Sequence, residues 1–162
     1  MIELRRATID DIPALYAIYD AMGKADAGYF EACLEKEFII LIASEEGKDV
    51  GFAMLNFTPK YALYKKLDIP EIQDLNVIPD ARQKGVATVI VNKCEELAEE
   101  QGKTQIGISV PLNASYGPAQ RLYIKLGYMP DGNGITYDRE QVDAVSRYPA
   151  DDDLCLMMLK AL

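Results

Sequence analysis

The stretch Val77-Ile78-Pro79-Asp80-Ala81-Arg82-Gln83-Lys84-Gly85-Val86-Ala87-Thr88 has the make-up of a phosphate cradle. It joins a strand-like run to the start of a long helical run. Backbone N–H groups at a helix N-terminus have no intrahelical acceptor and carry the positive end of the helix dipole, so they can wrap a pyrophosphate. Gly85 and Ala87 are small enough to let that backbone come close, and Arg82 and Lys84 add positive charge. Gln83, Val86 and Thr88 complete the run of N–H groups. The plainer alternative is an ordinary strand–helix turn carrying a solvated basic pair. A P-loop is excluded, because Gly-Lys-Ser/Thr is absent. The chain has no histidine, which removes the commonest general base and every Ser-His or Cys-His nucleophile. Acid–base chemistry is left to carboxylates, tyrosines, lysines or water. Cys33, Cys94 and Cys155 are odd in number and lack CxxC spacing, so no metal site is expected.

The elements that would position this cradle follow from pattern. Ile2 to Arg6 alternates as a half-buried strand, Thr8, Asp10 and Asp11 supply helix-start chemistry before Pro13, and Ile12, Leu15, Tyr19 and Met22 give a helix one apolar face that Gly23 ends. Residues 25–37 read as a second, weaker helix. Phe38 to Ser44 and Val50 to Phe57 form a hairpin around Glu46-Gly47-Lys48-Asp49. Residues 58–66 read as a loop and a candidate substrate wall, followed by a strand over 71–78. Val86, Ile90, Cys94 and Leu97 line one face of a helix over 85–101, Ile106, Ile108 and Val110 alternate as a strand, and 118–126 is a short helix stopped by Gly127. Residues 130–153 are rich in Gly, Asp and Pro, whereas 154–159 is an apolar run suited to a buried last strand.

Arg82-x-x-Gly85-x-Ala87 resembles the coenzyme A signature of the GNAT acetyltransferases. Asp74-Leu75-Asn76-Val77-x-Pro79 looks like that family's fourth strand, Leu122-Tyr123-x-Lys125-Leu126-Gly127-Tyr128 like its second motif, and Leu4-Arg5-Arg6-Ala7-Thr8-x-x-Asp11-Ile12 like its opening strand and helix. The resemblance covers nearly the whole chain. It implies one α/β domain over residues 1–162, with a mixed, mostly antiparallel sheet of about six or seven strands flanked by about four helices. Acetyl-CoA would sit in a splay between the fourth and fifth strands. It further implies that the backbone of Leu75, Asn76 and Val77 holds the pantetheine arm and the thioester oxygen. Glu71 takes the place of a glutamate that removes the amine proton through water, and Tyr123 that of a tyrosine that protonates the departing thiolate. Asp74 competes with Glu71; in a regular strand the two point to opposite faces, and a bulge would overturn that. Where family members carry an asparagine three residues before the alanine of the second motif, this chain has Tyr116, so Asn113 is the substitute contact to the coenzyme. Helix capping or a turn explains Asn113 equally well.

At 162 residues the chain suits a single compact core. Its formal charge of −9 argues against nucleic acid and favours a cationic acceptor, although the same acidity also serves solubility. Its apolar runs fall far short of the ~20 residues that span a bilayer, and the N-terminus lacks an export pattern, so the expected setting is the cytoplasm, with no membrane partner. The implied reaction is acetyl transfer from acetyl-CoA to a primary amine, with a small molecule as the first choice of acceptor. The alternatives are a protein lysine or N-terminal amine as acceptor, or a non-catalytic acyl-CoA-binding module. A homodimer is compatible with every one of these readings.

Overall fold

The computed structural model describes residues 1–162 throughout. Eight strands and five α-helices follow one another along the chain: β1 (Ile2–Arg6), α1 (Ile12–Ala21), α2 (Tyr29–Glu35), β2 (Ile39–Glu45), β3 (Lys48–Asn56), α3 (Ala62–Leu67), β4 (Glu71–Val77), α4 (Val86–Glu100), β5 (Gln105–Pro111), α5 (Gly117–Lys125), β6 (Met129–Tyr137), β7 (Glu140–Gln141) and β8 (Leu154–Ala161). This is the mixed α/β class the pattern implies, with one helix and at least one strand more than expected. Contacts divide the chain into two compact units, 1–56 with 72–97 and 57–71 with 98–162.

In the first unit β1, β2, β3 and β4 lie side by side in that order, with β1–β2 and β2–β3 antiparallel. The first five residues of β2 are all buried, and so are the last seven of β3, which is why their sequences run apolar without alternation. Gly51 of β3 meets a tight constraint: a Cβ there would lie 2.7 Å from the Asn76 carbonyl oxygen of β4. Thr8 and Asp11 form a capping box ahead of α1, and Pro13 occupies its first turn, as the sequence predicts. At the far end Gly23 takes a left-handed φ of 70°, the Gly23 N–H bonds to the Asp20 carbonyl, and the Lys24 N–H reaches the Tyr19 carbonyl at 2.9 Å. This is a Schellman cap. Phe30 packs edge-on against Tyr16, Tyr19, Tyr29 and Phe52, tying α1, α2 and β3 into one aromatic core.

In the second unit the order is β5-β8-β6-β7, every pair antiparallel. Tyr64 of α3 is fully buried with Ile69 and Met157, and its hydroxyl donates to the Met158 carbonyl. Gly107 of β5 has no room for a side chain, since a Cβ would lie 2.4 Å from the Tyr64 ring. Two expectations are corrected here. The stretch read as a loop over 58–66 holds most of α3, and the Gly-, Asp- and Pro-rich 130–153, whose composition suggests no strand, holds most of β6 and all of β7. In β6 the run Asp131-Gly132-Asn133-Gly134 loops out between Pro130 and Ile135, with both glycines at positive φ, so a strand is interrupted by turn residues that hide it. The second helix is shorter than its 25–37 pattern suggests, because Gly28 adopts φ 78° at its N-cap.

Candidate active site

The strand-to-helix bridge is one tight turn followed by two left-handed residues. After β4 a single 3-10 turn over Pro79–Ala81 brings the chain to Arg82 in extended conformation, then Gln83 at φ 61° and Gly85 at φ 85°. The first helical bond of α4 runs from the Val89 N–H to the Gly85 carbonyl at 3.1 Å, so the N–H groups of Val86, Ala87 and Thr88 precede the ladder. A Cβ built on Gly85 would meet nothing within 4 Å. The glycine is therefore needed for its backbone angle, and the space above it is open for a ligand. These features fit a pyrophosphate. The basic pair serves the loop itself: Arg82 Nε donates to the Val77 carbonyl at 3.0 Å, and Lys84 pairs with Glu45 at 3.3 Å while remaining half exposed.

Along β4, Leu75 and Val77 are half-buried and Asn76 is buried. The strand is not regular, because Asp74 sits at φ 50° in its middle. Asp and Asn are among the few side chains that tolerate this region, and the left-handed residue breaks the regular alternation on which the parity argument for Asp74 and Glu71 rests. Asp74 is the centre of a polar cluster confined to the first unit. Tyr19 donates its hydroxyl to Asp74 Oδ2 at 2.6 Å, and Asn76 Nδ2 donates to Asp74 Oδ1 at 2.7 Å. Asn76 Oδ1 accepts from Lys24 Nζ at 2.9 Å, which fixes the orientation of the amide. Lys24 Nζ also lies 3.7 Å from Asp74 Oδ1 and 5.6 Å above the Tyr19 ring. Tyr29 stacks on Tyr19 with ring centroids 5.5 Å apart. Burial first, and then the hydrogen bond to Asp74, hold the Tyr19 hydroxyl far above its ordinary pKa, so it stays a donor.

Glu71 belongs to the second unit and is fully buried. Arg139, in the left-handed turn between β6 and β7, directs Nε at both of its carboxylate oxygens. Burial works against the Arg139 charge, but the Glu71 carboxylate outweighs it, and the guanidinium pKa is raised. Tyr123, on α5, is also buried; its pKa is pushed up by desolvation, and its ring tilts against Tyr128 at 6.4 Å. Asn113 caps a short turn, accepting from the Ser115 N–H at 3.2 Å, and donates to Asp152 at 3.4 Å. Its side chain is used as the capping alternative describes.

The structure thus brings Asp74 and Asn76 together with three residues that sequence reasoning did not single out for chemistry: Tyr19, Lys24 and Tyr29. Tyr19 reads as one of four core positions of α1, and its hydroxyl gives no pattern. Arg139 was also missed, since it lies 68 residues from Glu71 in a segment without periodicity.

Residues 8–128 match the sequence model of the acetyltransferase (GNAT) family. The chain belongs to this family. A bacterial relative, the uncharacterized N-acetyltransferase YhfO of Bacillus subtilis (strain 168), is 30% identical over 110 residues, which is 67% of this chain and 71% of that protein. The GNAT fold is matched by solved structures. The ribosomal-protein-S18-alanine N-acetyltransferase of Escherichia coli superposes with a TM-score of 0.74 at 17% identity, over 99% of this chain and 94% of that one. The protein yncA of Salmonella typhimurium, solved with its cofactor acetyl-CoA, gives 0.68 at 16% identity, over 99% and 94%. Family membership makes the chain an acyltransferase, and no helix in it is long and apolar enough to cross a membrane.

Proposed function

We propose that this GNAT protein transfers an acetyl group from acetyl-CoA to a primary amine on a small, cationic acceptor. The observation that carries the reading is Gly85, held at a left-handed angle with open space above it at the start of α4. Backbone N–H groups of residues 83–88 and the half-exposed Lys84 would hold the pyrophosphate of the coenzyme, and the backbone of Leu75, Asn76 and Val77 its pantetheine arm. When bound, the coenzyme supplies an acetyl group activated as a thioester.

The protein's own task is to receive a neutral amine and manage two protons. We assign removal of the amine proton to Asp74. Its carboxylate is only partly enclosed, and it is surrounded by groups that orient a cation, whereas both oxygens of Glu71 face Arg139. Family resemblance gives Tyr123 the proton for the departing thiolate. Enclosure keeps that phenol protonated across the neutral range at the cost of acid strength, so its contribution is that of a hydrogen-bond donor to developing negative charge. The net charge of −9 favours cationic acceptors in the approach.

The test is release of free thiol from acetyl-CoA in the presence of primary amines of matched size and different charge. Turnover with cationic amines, abolished by Gly85→Val in a folded protein, supports the reading. Coenzyme A that binds without thiol release for any amine points to a non-catalytic module instead.

A further inference from the structure

Lys24 is bound in the manner of a ligand. Its ammonium group has an amide oxygen at 2.9 Å (Asn76), a carboxylate at 3.7 Å (Asp74) and an aromatic face at 5.6 Å (Tyr19), which are the three kinds of partner a primary ammonium ion seeks. The partners are themselves pre-set. Tyr19 and Asn76 both donate to the Asp74 carboxylate, Tyr29 backs the Tyr19 ring, and Asn76 can only turn its oxygen outward because its nitrogen is committed to Asp74. A site ordered in this way has its reorganisation cost met before a cation arrives.

We propose that the place now taken by the Lys24 ammonium is the acceptor subsite, and that the acceptor is a primary alkylammonium on a slender, unbranched aliphatic stem, which displaces Lys24 as it binds. This rests on the acetyltransferase reading for its consequence, though not for the binding itself. The stem preference follows from the tenant: an unbranched four-carbon chain already reaches the three partners from the end of α1. Beside it, an open groove of about 490 Å³ runs along the loop between α1 and α2 and is lined by Tyr16, Asp20, Asp26 and Glu31 as well as Lys24.

Lys24 then acts as a tethered competitor. A short tether gives an effective concentration in about the millimolar range, so a free ammonium ion must outbid it, and removing it should tighten binding. The backbone of Lys24 does not depend on its side chain, since the Schellman cap holds its N–H. Lys24→Met keeps the aliphatic stem and removes the charge.

The experiment uses the full chain without coenzyme and titrates n-butylammonium chloride, with n-butanol as the neutral isostere, following amide resonances of residues 22–29 and of the Asn76 side chain by NMR. The expected result is that Lys24→Met binds n-butylammonium at least about twofold more tightly than the wild type, that adding Asp74→Asn reverses the gain, and that n-butanol binds to none of them. Asp74→Asn suits the test because asparagine tolerates the positive φ. Equal affinity in wild type and Lys24→Met, insensitivity to Asp74→Asn, equal binding of n-butanol, or no binding to any variant overturns the proposal. The same proteins are then assayed for thiol release from acetyl-CoA with 1,5-diaminopentane. Ammonium binding with no thiol release from this or any other primary amine sustains the subsite and defeats the acetyltransferase reading; thiol release with a KM indifferent to Lys24→Met does the reverse.

Discussion

Arg139 Nε lies 3.0 and 3.2 Å from the two carboxylate oxygens of Glu71, which is wholly removed from solvent. Breaking a buried pair by deleting one partner typically costs about 3–5 kcal/mol, because the remaining charge is left without compensation. Arg139→Met should therefore lower Tm by on the order of 10 °C for a chain of this size, and Glu71→Leu combined with Arg139→Met should recover part of the loss. Thermal melts of the two single variants and the double variant measure this. An Arg139→Met protein that melts with the wild type would show that the pair carries no stability.

The division of labour between the two acidic residues of β4 is open to a direct comparison. Asp74→Asn should reduce turnover by about 100- to 10,000-fold at neutral pH and regain part of it as rising pH supplies free amine. Glu71→Gln should act mainly on thermal stability. Initial rates from pH 6 to 10, set beside melting curves, separate the two. If Glu71→Gln takes the large kinetic loss with an unchanged Tm, proton removal belongs to Glu71.

Gly85→Ala and Gly85→Val place a side chain at φ 85°, a region that costs about 1–3 kcal/mol for a residue other than glycine. A Cβ at this position meets no atom of the protein within 4 Å, so Gly85→Ala should fold, and the fold of Gly85→Val is checked by circular dichroism before binding is read. Their effect should fall on coenzyme A, whose binding measured by calorimetry should weaken for Ala and vanish for Val. Undiminished affinity in folded Gly85→Val would put the coenzyme elsewhere.

Stability should decline at acid pH through a cluster at the start of the chain. The Thr8 N–H, followed by Arg5, holds Asp11 below the usual carboxylate range, and hydrogen bonds from Arg5 do the same for Asp49. A lowered folded-state pKa means that the unfolded chain takes up protons first on acidification. The contribution is thus complete above the unfolded value of about 4 and is lost as pH falls through the lower, folded values. Tm followed from pH 7 to pH 2 should drop below about pH 4, and Asp49→Asn should flatten part of that drop. A curve for Asp49→Asn parallel to the wild type would remove Asp49 from the account.

What could be read in advance was local. Pro79, Gly85 and the apolar spacing of Val86, Ile90 and Cys94 all act within a few residues, so the strand, the bridge and α4 declare themselves in order. The left-handed backbone of Asp74 does not, because its side chain is engaged by Tyr19 and Asn76 in concert, and Tyr19 lies 55 residues away. Strand β6 was hidden by Asp131-Gly132-Asn133-Gly134, whose turn chemistry is real but interrupts the strand without ending it. Helix α3 spans six residues, too few for periodicity to speak, and is held by the burial of Tyr64 against β8. Glu71 carries the resemblance's place for a proton acceptor working through water, but the partner that encloses it, Arg139, arrives from a turn late in the chain.

The cap on α1 bears on speed. Tyr19 holds Lys24 at both ends, by its carbonyl on the backbone N–H and by its ring beneath the ammonium. With the backbone clamped, the lysine can leave only by rotating about its own side-chain bonds. Such rotations take picoseconds to nanoseconds in exposed side chains and somewhat longer where contacts must first break, still short of the microseconds or longer for the opening of a loop or lid. Vacating the site is then too fast to set the rate of turnover, and a slow step, if one is measured, has to be sought in the chemistry or in product release.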